Sequence, residues 1–123
     1  MAPEKKSLTP KRGELYLVNF DPTVGSEIKK TRPALILQND VANRHSSVTI
    51  VAAVSSQFTE PLYPTEVLIE PADGVLERTS VVLLNQVRTI DKTRLIKKIG
   101  VIPMETMEQV NRALEISLGL LEL

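Results

Sequence analysis

Three cations and a carboxylate crowd the stretch GSEIKKTRP at residues 25 to 33, and the last cation, Arg32, stands directly before a proline. A residue preceding proline is pushed toward extended backbone, so Arg32 is expected where a strand begins. Its guanidinium keeps its charge at any ordinary pH and presents a planar fork of donors that matches phosphate oxygens. Two further polar sets fall at strand ends. Ser55 and Ser56 close the apolar run VTIVAAV at 48 to 54, and Gln86, Arg88 and Thr89 lie in the polar end of SVVLLNQVRTI at 80 to 90. Gln86 and Arg88 are two apart and share one face of a strand, with Thr89 on the other. Such groups suit the backbone and base edges of an extended single-stranded nucleic acid. Cations in an exposed loop are ordinarily just solvated charge, so the set carries the reading and the loop by itself does not.

Other chemistries lack their residues. There is no G-x-x-x-x-G-K-[ST] or G-x-G-x-x-G loop for a nucleotide, and no G-x-S-x-G elbow for a serine hydrolase. The chain has no cysteine, which removes disulfides, thiolate metal sites and a thiol nucleophile. Its single histidine, His45, sits in the polar run NRHSS without an obvious acid partner and is expected in a surface loop. Neither a His-rich zinc centre nor a carboxylate cluster is supported, so no metal and no cofactor is expected.

The formal net charge of zero conceals an uneven distribution. Residues 1 to 32 hold seven Lys/Arg against four acids, and 86 to 98 hold five against Asp91, whereas 40 to 78 hold six acids against two bases. Clustered cations are what a polyanion requires, because counterion release supplies affinity regardless of sequence. With 123 residues, 42% hydrophobic and 24% charged, the chain reads as one soluble domain. No apolar run approaches a membrane span and none resembles a signal peptide, so the cytoplasm is the expected compartment.

The elements that must position these groups are mostly short strands. ELYLVNF (14 to 20), PALILQ (33 to 38), VTIVAAV (48 to 54), TEVLIE (65 to 70), SVVLLNQVRTI (80 to 90) and LIKKIGVI (95 to 102) read as strands, two of them apolar enough for burial on both faces. PADG at 71 to 74 reads as a turn, and DKTR as a helical turn capped by Asp91. The spacing of Met107, Val110, Leu114 and Leu118 predicts a helix over 103 to 120, with Pro103 at its start and Gly119 as its stop. Met104 and Met107 are read as core or subunit contact. Residues 1 to 11 form an expected flexible arm before a single domain at 12 to 123. The expected fold is a β-rich α+β domain, a small SH3-like twisted barrel with a C-terminal helix.

RGELYLVNFDPTVGSE, TRPALILQND, VVLLNQVRTIDKTRL and ALEISLGL, in this order and spacing, resemble the MazF/PemK toxins of bacterial toxin-antitoxin systems from Arg12 to about Leu121. The resemblance implies a MazF/CcdB-like fold and a homodimeric, metal-independent endoribonuclease that cuts single-stranded RNA, often mRNA, at short sequences. The products would carry a 2′,3′-cyclic phosphate and a 5′-hydroxyl. It also implies a MazE-like antitoxin whose acidic disordered tail occupies the RNA groove. The family's catalytic arginine falls on Arg32 and its catalytic threonine on Ser55, a departure that keeps the hydroxyl. Ser56 is a neighbour that competes for that assignment. Gly25, Ser26 and Glu27, the lysines Lys29 and Lys30, and Gln86, Arg88 and Thr89 are expected near RNA.

Such cleavage needs little from the enzyme, because RNA supplies its own 2′-hydroxyl nucleophile. Arg32 suits charge stabilisation, and Ser55 suits a hydrogen bond or proton relay. Glu27 is a candidate base on chemical grounds, although it would repel the phosphates, and the base stays unassigned. A gyrase-binding toxin of the CcdB type is the alternative. That type resembles a chain ending in a tryptophan-containing tail, whereas this one has no Trp and ends LLEL.

Overall fold

The computed structural model describes residues 8–71 and 76–123. Most of the expected N-terminal arm (residues 1–7) and most of the PADG turn (residues 72–74) lie outside the described residues. Six strands form one antiparallel sheet: β1 (Glu14–Asn19), β2 (Thr31–Ile36), β3 (Val48–Ser55), β4 (Glu66–Ile69), β5 (Ser80–Asp91) and β6 (Leu95–Val101). Their spatial order is β4-β5-β3-β2-β1-β6. Each expected strand is present, with its ends moved by one or two residues. Two helices accompany them, α1 (Asp40–His45) after β2 and α2 (Met104–Ser117) after β6.

Because side chains alternate across a strand, β3 feeds two cores. Ala52 and Val54 join Leu15, Leu35, Val82, Leu84 and the inner face of α2, led by Met107, Val110 and Ala113. Val51 and Ala53 point the other way, to Tyr16, Val18, Phe20, Ala34, Ile36, Ile90 and Leu95. That second cluster unites the ends of β5 and β1, although β3 and β2 stand between them in the sheet. The sheet therefore curls around it. Among the described residues no strand pairing joins β4 to β6, so the result is a twisted, barrel-like sheet that stays open.

The register of β5 breaks once. Ala52 faces Val87 but the next residue, Ala53, faces Leu83, leaving Leu84–Gln86 without partners on β3. A bulge of this kind bends the strand and re-aims its side chains. Leu84 turns to the α2 side, where its carbonyl accepts a hydrogen bond from Ser117 Oγ at 2.7 Å, while Asn85 and Gln86 turn outward.

Helix α1 went unforeseen, and His45, read as a loop residue, is the exposed last residue of that helix. Six residues are too few to show a period, and the helix persists through side-chain bonds. Asn39 caps its start by accepting from the Ala42 N–H at 2.9 Å. Asn43, fully buried, accepts from Gln38 Nε2 at 2.9 Å and Thr49 Oγ1 at 2.8 Å and donates to the Gln38 carbonyl at 2.9 Å. Asn43→Ala takes the acceptor from the buried Thr49 hydroxyl and one of two acceptors from Gln38 Nε2, which keeps the Val48 carbonyl, and urea denaturation should register a loss on the order of 3 kcal/mol. A loss no greater than that of Asn39→Ala, about 1 kcal/mol for a cap, would mean that the network is not what anchors α1.

Helix α2 starts after Pro103 and stops at Gly119, whose φ of 74° is the left-handed value a helix stop favours. Met107 is buried as expected, but Met104 is 79% exposed. Leu118, Leu120 and Leu123 are also exposed. Burial, with Glu14 beside it, pushes the Tyr16 phenol up to about 12, so it stays neutral and donates to Glu14, itself paired with Lys98 at 2.7 Å.

Candidate nucleic-acid interface

Arg32 and Ser55 lie at the adjoining ends of neighbouring strands, just beyond the last recorded β2–β3 pair. Ala34 of β2 pairs with Ala53 of β3, and continuing that antiparallel pairing by two residues sets Arg32 across from Ser55. Arg32, Ala34, Ser55 and Ala53 all share parity with the cluster under the curl, so both polar side chains fall on one sheet face. Residues directly opposite on neighbouring strands keep their Cβ atoms about 4.5–5.5 Å apart, so the extended register would bring both side chains within reach of one phosphate. Arg32 is partly buried, and its Nε donates to the Lys29 carbonyl at 3.3 Å, which leaves its terminal nitrogens for a ligand. Ser55 Oγ accepts from the Gln57 N–H at 3.1 Å in a short turn after β3. Ser56 is exposed beyond it.

The segment 20–30 between β1 and β2 rises beside this pair. Phe20 N–H donates to the Lys30 carbonyl at 3.0 Å, and Lys30 N–H donates to the Asp21 carboxylate at 3.0 Å. Lys30 thereby holds a φ of 69°, a left-handed conformation that costs an ordinary residue roughly 1–2 kcal/mol. Within the loop, Gly25 has a φ of 57° and Glu27 accepts from the Val24 N–H at 2.7 Å. Glu27, considered as a base, thus commits one carboxylate oxygen to its own turn. Gly25, Ser26, Lys29 and Lys30 are exposed.

Gln86 and Arg88, two apart on β5, both bond to the loop segment. Gln86 accepts from the Ile28 N–H and donates to the Ser26 carbonyl, both at 3.4 Å, and Arg88 Nη1 donates to the Phe20 carbonyl at 2.6 Å. Thr89 is exposed and pairs with Ile50 of β3. A cleft of about 230 Å³ opens between loop and bulge, lined by Phe20, Glu27, Ile28, Asn85, Gln86, Val87 and Arg88. Asn85 and Phe20 were missed in the sequence because nothing local marks a residue as lining a cleft. Arg94 was missed too. It sits in the single helical turn Lys92–Arg94, capped by Asp91, whose carboxyl is held below its ordinary range by bonds from Thr93. From there Arg94 Nη1 donates to the Asn19 carbonyl at 3.0 Å and to that of Asp21.

The molecule is thus a small curled sheet with a cation and a hydroxyl at the ends of adjacent strands and a polar cleft between loop and bulge. Comparison with known proteins names the group to which it belongs. The family of PemK-like, MazF-like toxins of type II toxin-antitoxin systems matches residues 11–118, and the chain belongs to that family. It is 46% identical over 112 residues to endoribonuclease EndoA of Bacillus subtilis, covering 91% of this chain and 97% of the relative. To endoribonuclease MazF of Staphylococcus saprophyticus it is 43% identical over 110 residues, 89% of this chain and 92% of that protein. Among solved structures, MazF of Deinococcus radiodurans superposes with a TM-score of 0.79 at 29% identity, covering 91% of this chain and 98% of that one. A mycobacterial endoribonuclease solved with its cognate antitoxin gives 0.75 at 27% identity, covering 93% and 99%. These relatives favour the ribonuclease reading over the gyrase-binding one.

Proposed function

We propose that this protein is the toxin of a type II toxin-antitoxin pair and an endoribonuclease that cuts single-stranded RNA, mRNA included, at short sequences. What supports the reading is the β2–β3 register, which, carried two residues past the Ala34–Ala53 pair, aligns Arg32 with Ser55, in a chain 46% identical to EndoA over 112 residues. In the reaction, the ribose 2′-oxygen attacks the adjacent phosphorus, a new P–O2′ bond forms and the P–O5′ bond breaks. The 2′-hydroxyl gives up its proton, the departing 5′-oxygen takes one, and the products are a 2′,3′-cyclic phosphate and a 5′-hydroxyl. Negative charge peaks on the non-bridging oxygens in between. Arg32 offsets that charge with its terminal nitrogens, and Ser55 donates a hydrogen bond to one of the same oxygens.

Lys29 and Lys30, on the exposed loop, supply unspecific attraction to the backbone. Gly25, Ser26, Glu27, Ser56, Gln86, Arg88 and Thr89 surround the path of the strand, and the cleft at the bulge suits an unstacked base. The partners are single-stranded RNA, a cognate MazE-like antitoxin with an acidic disordered tail, and a second copy of the chain in a homodimer. Exposed Leu118, Leu120 and Leu123 are apolar surface that a second copy can cover. The compartment is the cytoplasm, and residues 12–123 are the toxin domain.

Incubating the protein with a mixed RNA pool in excess chelator should yield fragments with 5′-hydroxyl ends and cyclic-phosphate 3′ ends. Intact RNA, or 5′-phosphate ends, would refute the reaction as written.

A further inference from the structure

Guanidinium groups tie the end of β1 to the end of β5 and to the turn that leads into β6. Arg88 donates to the carbonyl of Phe20, and Arg94 donates to those of Asn19 and Asp21, so three consecutive carbonyls at the end of β1 accept from two cations of the β5 end. The bonds span a gap of 68 to 75 residues in sequence. Arg94 is also the start of a continuous path. The Asp21 residue it holds uses its carboxylate to take the Lys30 N–H at 3.0 Å, and Lys30 returns its carbonyl to the Phe20 N–H at 3.0 Å. These two bonds hold Lys30 in its left-handed conformation, at a φ of 69°. The preceding carbonyl, that of Lys29, is the one that receives Arg32 Nε. A strained backbone persists only where its surroundings over-determine it, and here the surroundings end at Arg94.

We propose that Arg94 is a positioning residue for RNA cleavage: by holding the Asn19 and Asp21 carbonyls it keeps the 20–30 loop in the conformation that aims the Arg32 guanidinium. The inference rests on the reading of Arg32 given above. Arg94 turns the N–H groups of Nη1 to the protein's own backbone, and through that backbone its effect reaches Arg32. Without it, the end of β1 loses the cation that satisfies two carbonyls, Asp21 shifts, and Lys30 relaxes out of the left-handed region. Arg32 then keeps its charge and loses its direction. A displacement of about 1 Å in such a group costs up to roughly 10²-fold in rate.

A double-mutant cycle tests this, using an RNA oligonucleotide and the variants Arg32→Lys, Arg94→Ala and both together, with the folded fraction fixed by NMR. Arg94→Ala should lower kcat by about 10²-fold with KM changed by no more than about twofold. Adding it to Arg32→Lys should slow cleavage little further, since the fork that Arg94 aims is already gone. The Nε–H resonance of Arg32 should shift in Arg94→Ala while amides of the α2-facing core stay in place. Arg94→Lys, which can satisfy one carbonyl by a single point charge, should recover part of kcat and serves as the test if the alanine variant does not fold. An unchanged kcat, two losses that multiply, or an unmoved Arg32 resonance would each overturn the proposal. Arg32→Ala runs beside them. If it cuts at full rate, the assignment of Arg32 fails and this inference with it; if it is inactive while Arg94→Ala is unimpaired, only this inference fails.

Discussion

Arg32→Ala should cut RNA about 10³-fold more slowly than the parent, or not detectably, while remaining folded. The magnitude follows from what the side chain faces. The attacking oxygen adds its charge to a phosphate that is already anionic, and the guanidiniums of Arg88 and Arg94 are each anchored through Nη1 to backbone carbonyls at the end of β1, which leaves Arg32 as the cation proposed to meet that charge. The fold should tolerate the change because the β2 backbone at this position pairs with Val18 through main-chain groups, and the side chain adds a single bond of 3.3 Å to Lys29. Cleavage of an oligonucleotide in chelator, read beside an unchanged urea midpoint, checks both halves. Arg32→Lys separates charge from geometry. It keeps the cation but loses the fork, and should regain only part of the rate.

Ser55→Ala should lose about 10²-fold, and Ser56→Ala less than about threefold. Both serines follow the same apolar run, but only Ser55 has the parity of Ala53, whose partner Ala34 shares the parity of Arg32, so the register carried on by two residues sets Ser55 across from Arg32. Ser56 is exposed in the following turn. Removing the Ser55 hydroxyl also removes its bonds to Gln57 at 3.1 and 3.3 Å, so part of any loss reflects a looser turn. Ser55→Thr resolves the two effects, because threonine keeps the hydroxyl, suits a strand, and is the residue the resemblance implies here. It should cut at least as fast as the parent. Equal losses in Ser55→Ala and Ser56→Ala would shift the assignment by one residue.

Which parts of this molecule were legible beforehand depends on the range of the interaction. Apolar runs such as PALILQ and VTIVAAV marked strands buried on both faces because alternation is a property of neighbours in sequence, and the structure divides those strands between two cores as expected. Proline after Arg32, aspartate before the turn at Lys92 and glycine at 119 act within a few residues, and each sits where the local rule puts it. Helix α1 was not legible, since its stability comes from the buried side chain of Asn43 and its partners, while its own six residues show no period.

The chain's own residue order determined the strands, the two-sided cores, the terminal helix and the presence of a guanidinium and a hydroxyl at strand ends. Tertiary structure alone decided that β2 pairs with β3 in the register that sets Ala34 across from Ala53, that a three-residue bulge in β5 opens a cleft, and that Arg94 reaches the Asn19 carbonyl. The reason is physical. Patterning and capping act over a few residues, whereas register and long-range hydrogen bonds emerge only when distant segments compete to fill one curled core.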